Sequence, residues 1–148
     1  MSSRSLKLEF LELKSGSLDF SKHQNNEGWF VVMIEGNNSP VSSCLFNMSG
    51  IDLPVSVTIP IPNQDITNSN IIINLCEYGP GEQIISFARY RGRLLSLQFD
   101  GMTKTFLSFL NSQPPQKQIA SFQVIGDYRE SATHGKQSVS LESNTYLL

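Results

Sequence analysis

The chain has 148 residues, with 11 lysines and arginines against 13 aspartates and glutamates, so its net charge is −2. This length suffices for one well-buried core and is too short for two ordinary domains. The charge gives no global field that would attract nucleic acid, so we expect no nucleic-acid partner, and any anionic partner must meet a local basic patch.

The amino terminus, Met1 to Lys7, lacks the apolar core of about 7–15 residues that a signal peptide carries. No apolar run approaches the ~20 residues of a membrane span. We therefore expect an intracellular, cytoplasmic protein. Cys44 and Cys76 stand in apolar surroundings without a CxxC spacing or paired histidines, which predicts buried, reduced cysteines rather than a disulfide or a metal site.

The first predicted strand begins at Leu6. Apolar and charged residues alternate as far as Phe10, and apolar residues then continue at Leu11 and Leu13 in the opposite phase. A β-bulge, which adds one residue to a strand, produces such a change of inward face. The polar stretch at 21–28 has the composition of an exposed loop.

The next three strands are predicted from two kinds of pattern. Residues 29–34 form a short continuous apolar run, typical of a central strand, and a turn-forming segment separates them from an antiparallel partner at 41–48. Residues Val55 to Ile61 alternate strictly between apolar and polar side chains, as a strand with one buried face requires. Pro60 cannot donate to a neighbouring strand, so it is expected near an edge or at a strand end.

Three further strands are predicted before residue 100. Residues 71–76 are apolar and indicate a buried strand, and a tight turn follows at 78–81. Two strands, 84–90 and 94–99, are expected to meet around Gly92; the alternative is one long strand that is kinked there.

One segment has a helical pattern. Met102, Phe106, Phe109 and Leu110 recur at helical spacing, which predicts a short amphipathic helix over residues 102–110. A pair of prolines soon afterwards would end it.

The last strand is predicted at 119–125, and the sequence from residue 127 is polar, with few apolar residues before its last three. We therefore divide the chain into a sandwich domain, residues 5–126, and a polar C-terminal tail, residues 127–148, which we expect to be disordered. About eight short strands at intervals of roughly ten residues predict an all-β fold, an antiparallel Greek-key β-sandwich.

The order of these strands resembles that of the C2 domain, a family of calcium- and lipid-binding β-sandwiches. The segment Gly28-Trp-Phe-Val-Val-Met-Ile-Glu-Gly36 is similar to the strand that this family writes Pro-Tyr-Val-x-Val. Leu6 to Leu13, Val55 to Ile61 and Asn70 to Glu77 are similar to the family's first, fourth and fifth strands. The resemblance covers residues 5–126 and implies a non-catalytic binding module.

The family's calcium sites are incomplete in this sequence. Members that bind calcium use aspartates in two loops at one end of the sandwich, because this hard cation needs at least about six oxygen ligands. The corresponding positions offer Asp19, Glu27, Glu77 and Glu82. The resemblance therefore implies too few ligands for a usual site, and we predict no metal, no cofactor and calcium-independent binding. The family's lysine-rich face is missing too, because the third and fourth predicted strands contain no lysine or arginine.

The basic cluster of the chain is Arg89, Arg91 and Arg93, with Tyr90 among them. In an extended segment, residues two apart lie on one side, so the three guanidinium groups share a face. Such a face can bind the phosphates or carboxylates of a partner. The alternative is a solvated outer strand face that discourages aggregation. We predict Arg89, Tyr90, Arg91 and Arg93 as partner-binding residues, since an aromatic ring beside arginines suits a binding surface.

Catalysis is not expected. His23 lies in a polar loop and His134 in the predicted tail, where no rigid scaffold would hold a general base, so we predict that the protein is not an enzyme. The phenylalanines predicted to face the core are Phe30, Phe46, Phe87, Phe99, Phe106, Phe109 and Phe122.

The sequence thus predicts a non-catalytic, calcium-independent C2-like module that mediates protein–protein interaction or targeting, within a larger assembly. Two alternatives stay open. The first is a peripheral membrane module that binds anionic phospholipid through its arginines, and the second is a structural subunit of jelly-roll type.

Overall fold

The computed structural model describes residues 2–15, 27–36, 42–47, 53–61 and 65–132. These residues contain eight β-strands and no α-helix. The strands are β1 Ser2–Ser15, β2 Glu27–Ile34, β3 Ser42–Asn47, β4 Val55–Ile61, β5 Asn70–Tyr78, β6 Ile84–Arg93, β7 Asp100–Asn111 and β8 Gln118–Ala132. The predicted all-β, antiparallel fold is confirmed.

The strands pair in the order β3–β2–β5–β6–β7–β8–β1–β4, and all neighbours are antiparallel. The pairing is weakest in the middle, where β6 and β7 are joined only by Ala88 with Asn111 and Arg89 with Leu110. The order bends there into two layers. We call β3–β2–β5–β6 the first sheet and β7–β8–β1–β4 the second sheet.

Aromatic rings hold the two sheets together. Phe10 of β1 and Phe30 of β2 belong to different sheets, yet their rings stack in parallel with centroids 4.0 Å apart. Phe122 and Phe109 meet Phe30 edge-on, with centroids at 5.2 and 6.2 Å. All four side chains are fully buried. Edge-to-face pairs of this kind add about 0.5–1.5 kcal/mol to the free energy gained by burial.

The bulge predicted in the first strand is present. The register between β1 and β8 shifts between Phe10 and Glu12. Leu6, Leu8 and Phe10 are fully buried before the shift, and Leu13 packs against the core after it.

Strand β4 also follows its sequence pattern. Its inward residues Val57, Ile59 and Ile61 are buried and the residues between them are exposed. It is the last strand of the order and pairs only with β1 among the described strands, so Pro60 stands in an edge strand as expected.

The helix predicted over 102–110 is wrong, because this segment is strand β7. Residues four and eight positions apart share one face of a helix, but they also share one face of a strand. Met102, Phe106 and Leu110 lie in this way on the exposed face of β7, while Leu107 and Phe109 are buried on the other. The prediction that Phe106 faces the core is wrong for the same reason.

The remaining core phenylalanines can be placed in part. Phe30, Phe109 and Phe122 are fully buried, and Phe87 and Phe99 pack partly buried against the core. The predicted role of Phe46 concerns a side chain outside the described set.

The prediction of a strand at 94–99 is wrong as well. Strand β6 continues through Gly92 to Arg93, and a single 3₁₀ turn, Leu94–Leu97, follows it. Residues three apart align on one side of a 3₁₀ turn. Leu94 and Leu97 are accordingly both buried.

Strand β8 extends beyond the predicted domain boundary at residue 126. It runs to Ala132 because its end pairs with the start of β1, where Ser2 lies opposite Ala132. The boundary therefore falls inside a strand, and residues 133–148 of the predicted tail lie outside the described residues. No helix in the described ranges is long and apolar enough to cross a membrane.

Candidate functional site

Strand β6 presents three arginines on one exposed face. Exposed and inward residues alternate along this part of the strand, so that Arg89, Arg91 and Arg93 are exposed while Ala88 is fully buried. We call these three residues the arginine row. Its position on the outside of the first sheet is the arrangement that the spacing of the arginines predicts.

The middle arginine is paired with a carboxylate. Arg91 donates from Nη2 to Oε1 of Glu35 at 2.6 Å and from Nε to both carboxylate oxygens at 3.0 and 3.1 Å. Asn70 donates from Nδ2 to the same carboxylate at 3.1 Å. The bonds from Arg91 and then Asn70 lower the pKa of Glu35, and the bond to Glu35 raises the pKa of Arg91. The pair is therefore charged at neutral pH.

The two outer arginines are held by neutral amides. Arg89 donates from Nε to Oδ1 of Asn74 at 2.9 Å, and Arg93 donates from Nη1 to Oδ1 of Asn68 at 3.2 Å. Among the described residues, neither forms an ion pair with a carboxylate. An amide oxygen orients a guanidinium group without cancelling its charge. With three arginines and one glutamate, the row keeps a local net charge of +2.

Asn74 also connects the row to an earlier residue of β6. Its Oδ1 accepts a second hydrogen bond, from the hydroxyl of Ser86 at 3.1 Å. The bonds to the row thus come from β5, from the turn before it and from the turn after β2. Such cross-strand bonds restrict the side chains before any partner arrives, which lowers the entropy cost of binding.

Tyr90 lies apart from the arginine face. It points to the other side of β6, where its ring packs against Phe109 with centroids 6.2 Å apart. Gly92 leaves room for it, since a Cβ at that position would lie 2.2 Å from the Tyr90 hydroxyl oxygen. The structure therefore places the three arginines on one surface, whereas Tyr90, on the other side of β6, meets Arg89 and Arg91 only at the groove beside the row.

A groove of about 530 Å³ opens beside the row, where β6 and β7 diverge. We call it the β6–β7 groove. Its lining residues are Ser86, Arg89, Tyr90, Arg91, Ser108, Leu110, Asn111, Ser112 and Gln116. Two guanidinium groups with hydroxyls and amides nearby offer many hydrogen-bond donors to an anionic oxygen. The ring of Tyr90 and the side chain of Leu110 add apolar surface, as is usual in binding grooves.

The calcium prediction is not decided by the structure. No group of three or more histidine, cysteine, aspartate or glutamate side chains that could hold a metal ion occurs among the described residues. Asp19 and the side chain of Glu27 lie outside them. Glu77 lies opposite Gly28 in the sheet, and Glu82 is exposed in the turn between β5 and β6. Calcium independence stays a prediction.

The cysteine prediction can be assessed at one position. Cys76 is free and buried, as expected of a reduced core cysteine, and burial raises the pKa of its thiol. The side chain of Cys44 is outside the described set.

The residues that orient the arginines were not predicted from the sequence. Glu35, Asn68 and Asn74 are far from β6 in the sequence, so no local pattern connects them with it. Strand pairing could have found one of them, because the turn between β5 and β6 places Asn74 opposite Arg89. Glu35 is 56 positions from Arg91 and belongs to another hairpin, so the sequence of β6 alone could not indicate it.

A search of protein-family models found no match to the chain, and a search of curated proteins found none either. A search of solved structures found a C2 domain of a plant extended synaptotagmin 1. The TM-score is 0.63 at 8% sequence identity, and the match covers 88% of this chain and 96% of that domain. At this identity the likeness concerns the fold, and it confirms the predicted C2-like β-sandwich.

Proposed function

Because the chain has a C2-like fold, we propose that it is a non-catalytic, calcium-independent binding module. Its arginine row binds an acidic segment of a partner protein. The observation that carries this proposal is the state of the two outer arginines, which are oriented by amides and keep their charge.

The donors of the row support carboxylate binding. An arginine carries five N–H donors in a planar fork, and among the described residues Arg89 and Arg93 each use one of them. The other donors suit a carboxylate, which accepts two parallel bonds from one guanidinium group. Exposed charges attract a partner mainly at low salt, because ions screen them. Binding through the row is therefore expected to weaken as salt rises.

The composition of the groove favours binding over catalysis. Its lining residues include no histidine and no carboxylate that could act as a general base. They supply hydroxyl, amide and guanidinium groups, which hold a ligand without abstracting a proton. We therefore expect no chemical change in the partner.

The test removes the charge of the two outer arginines. The double variant Arg89→Gln/Arg93→Gln is compared with Lys7→Gln/Arg129→Gln, which removes the same charge from β1 and β8 of the second sheet. Both variants and the wild-type chain are used to capture proteins from native lysate, and mass spectrometry identifies them. We expect a salt-sensitive partner that the first variant loses and the control keeps, with or without calcium. Equal capture by all three proteins would contradict the proposal.

The lipid and structural alternatives are tested with the same variants. Phosphatidylcholine vesicles with and without phosphatidylserine are sedimented with each protein. One result would be that the wild-type chain and the control both sediment with phosphatidylserine vesicles while the Arg89→Gln/Arg93→Gln variant does not. That result would show that the arginine row binds a membrane instead of a protein. A large self-assembly on a sizing column would favour a structural subunit.

A further inference from the structure

We infer that the open edge of β7 takes up an extended segment of the partner as an additional β-strand. This inference rests on the proposed function of the arginine row and names how the partner is held. The segment carries acidic side chains that reach the arginines and apolar side chains that cover the exposed face of β7.

The first observation is the pairing of β7. From Lys104 to Phe109 this strand pairs with β8, and it meets β6 only at Leu110 and Asn111. Its other edge therefore has no strand partner over residues 104–109 among the described residues. Along such an edge, alternate residues direct their backbone N–H and C=O groups outward. These groups are the ones that a further strand would bind.

The second observation is the exposed face of β7. Met102, Phe106 and Leu110 are 76%, 53% and 39% exposed. Successive members lie about 13 Å apart along the strand, with Lys104 and Ser108 between them. Proteins commonly protect an exposed edge with proline, several charges or a bulge. Residues 104–109 contain one charge and no proline, so this edge is suited to accept another strand.

Charge complementarity identifies the occupant. The open edge borders the β6–β7 groove, which Arg89 and Arg91 line. Glu35 pairs with Arg91, so Arg89 supplies the uncompensated positive charge there. Arg89 lies opposite Leu110 at the point where the sheets join, so a strand added to β7 would start beside it. Lys104 adds a further positive charge on β7 itself. An extended segment that alternates acidic and apolar residues satisfies both the backbone edge and these charges.

The experiment uses the full chain and a fluorescent peptide of alternating valine and glutamate, long enough to span β7. A second peptide has the same side chains but N-methylated backbone amides, which cannot donate to a β-ladder. We expect the first peptide to bind about tenfold or more tightly than the second by fluorescence anisotropy, because main-chain hydrogen bonds supply affinity in strand addition. We also expect its affinity to fall in the Arg89→Gln/Arg93→Gln variant and to stay unchanged in the Lys7→Gln/Arg129→Gln control.

Amide hydrogen exchange locates the peptide. In the free chain, the outward amides of residues 104–109 should exchange faster than those of the central strand β5. On binding of the first peptide they should become protected, while the amides of β4 at the other edge of the second sheet should not change. Slow exchange in the free chain would mean that the edge is already covered and would overturn the inference.

The remaining outcomes separate this inference from the proposed function. If the two peptides bind with equal affinity, and the Arg89→Gln/Arg93→Gln variant binds neither, strand addition is overturned. The arginine row would remain the binding surface. A dimer that the peptide dissociates would assign the edge to a second copy of this chain and overturn the inference. Binding of neither peptide would also overturn it, and the capture experiment would still decide the role of the row by itself.

Discussion

Strands β4 and β7 are the two edges of the second sheet, and their outward faces differ in chemistry. The exposed residues of β4 include Ser56, Thr58 and Pro60, which are polar or unable to donate to a ladder. Those of β7 include Met102 and Phe106, which are large and apolar. Both strands bury an apolar inner face. The difference is therefore confined to the outward faces of the two strands.

This contrast indicates that the two edges of the second sheet have different roles. A proline and small polar residues protect an edge against association with other strands. The β4 edge has that protection, whereas the β7 edge lacks it and borders the arginine row. We therefore expect stability to depend on the inner faces of both strands and binding to depend on the region where β6 and β7 diverge.

The largest effect is expected on stability, from substitutions on the two faces of β7. Phe109→Ala removes a fully buried ring that contacts three other aromatic rings, so it should lower the free energy of unfolding by about 3–5 kcal/mol. Phe106→Ala changes a ring that is 53% exposed and should cost less than about 1 kcal/mol. Urea denaturation measures both. If both variants lost a similar amount of unfolding free energy, the assignment of this segment as a strand would be contradicted. A helix, unlike a strand, would place residues 106 and 109 on one side.

A smaller effect is expected at the β6–β7 region. Glu35→Gln removes the carboxylate that pairs with Arg91 and raises the local net charge of the row from +2 to +3. The row should then bind an acidic peptide several-fold more tightly at low salt, and the gain should shrink as salt rises. The contrasting variant is Gln113→Glu, which adds one negative charge at an exposed position after β7. It should bind the acidic peptide more weakly than the wild-type chain does. A loss of affinity in Glu35→Gln would mean that orientation of Arg91 outweighs charge.

The smallest effect concerns the start of β7. Oδ1 of Asp100 accepts hydrogen bonds from the backbone N–H groups of Met102 and Thr103 at 2.8 and 2.7 Å. The bonds from Thr103, followed by that from Met102, lower the pKa of Asp100 to about 2. Because the folded pKa is below the unfolded value, this carboxylate stabilises the fold above about pH 4 and loses that effect as pH falls to about 2.

Melting temperatures measured across that pH range test the prediction. At neutral pH the wild-type chain should have a higher melting temperature than the Asp100→Asn variant. This difference in melting temperature should shrink between about pH 4 and pH 2. A difference that stays constant would show that the charge of Asp100 does not act through these bonds.

Much of the fold could be predicted because burial leaves a local pattern. The alternation in β4 and the change of phase in β1 both reflect which side of a strand faces the core, and the structure confirms both. Strand β7 could not be predicted in this way. Its exposed apolar residues, spaced by four, satisfy helical and strand periodicity together, and binding rather than packing is our account of their presence.

The candidate site was predictable only in part. The spacing of Arg89, Arg91 and Arg93 places them on one face, since that depends on the strand alone. Their partners come from other hairpins, and the inward position of Tyr90 depends on the space beside Gly92 and on the core ring of Phe109. These are long-range contacts, which a single sequence does not display.

The most direct test of the arginine row is an NMR titration of the arginine side chains. The Nε–Hε signals of Arg89, Arg91, Arg93 and Arg129 are followed while a short glutamate peptide is added at low salt. Among the described residues, Arg93 donates to Asn68 from Nη1, whereas Arg89, Arg91 and Arg129 donate from Nε to Asn74, Glu35 and Asp127. We therefore expect a saturable shift that is largest at Arg93, smaller at Arg89, and smallest at Arg91, whose partner is a carboxylate. We expect none at Arg129 of β8, which is already paired with a carboxylate. Equal, unsaturable shifts at all four arginines, or none at the row, would contradict the proposal that this face binds an acidic partner.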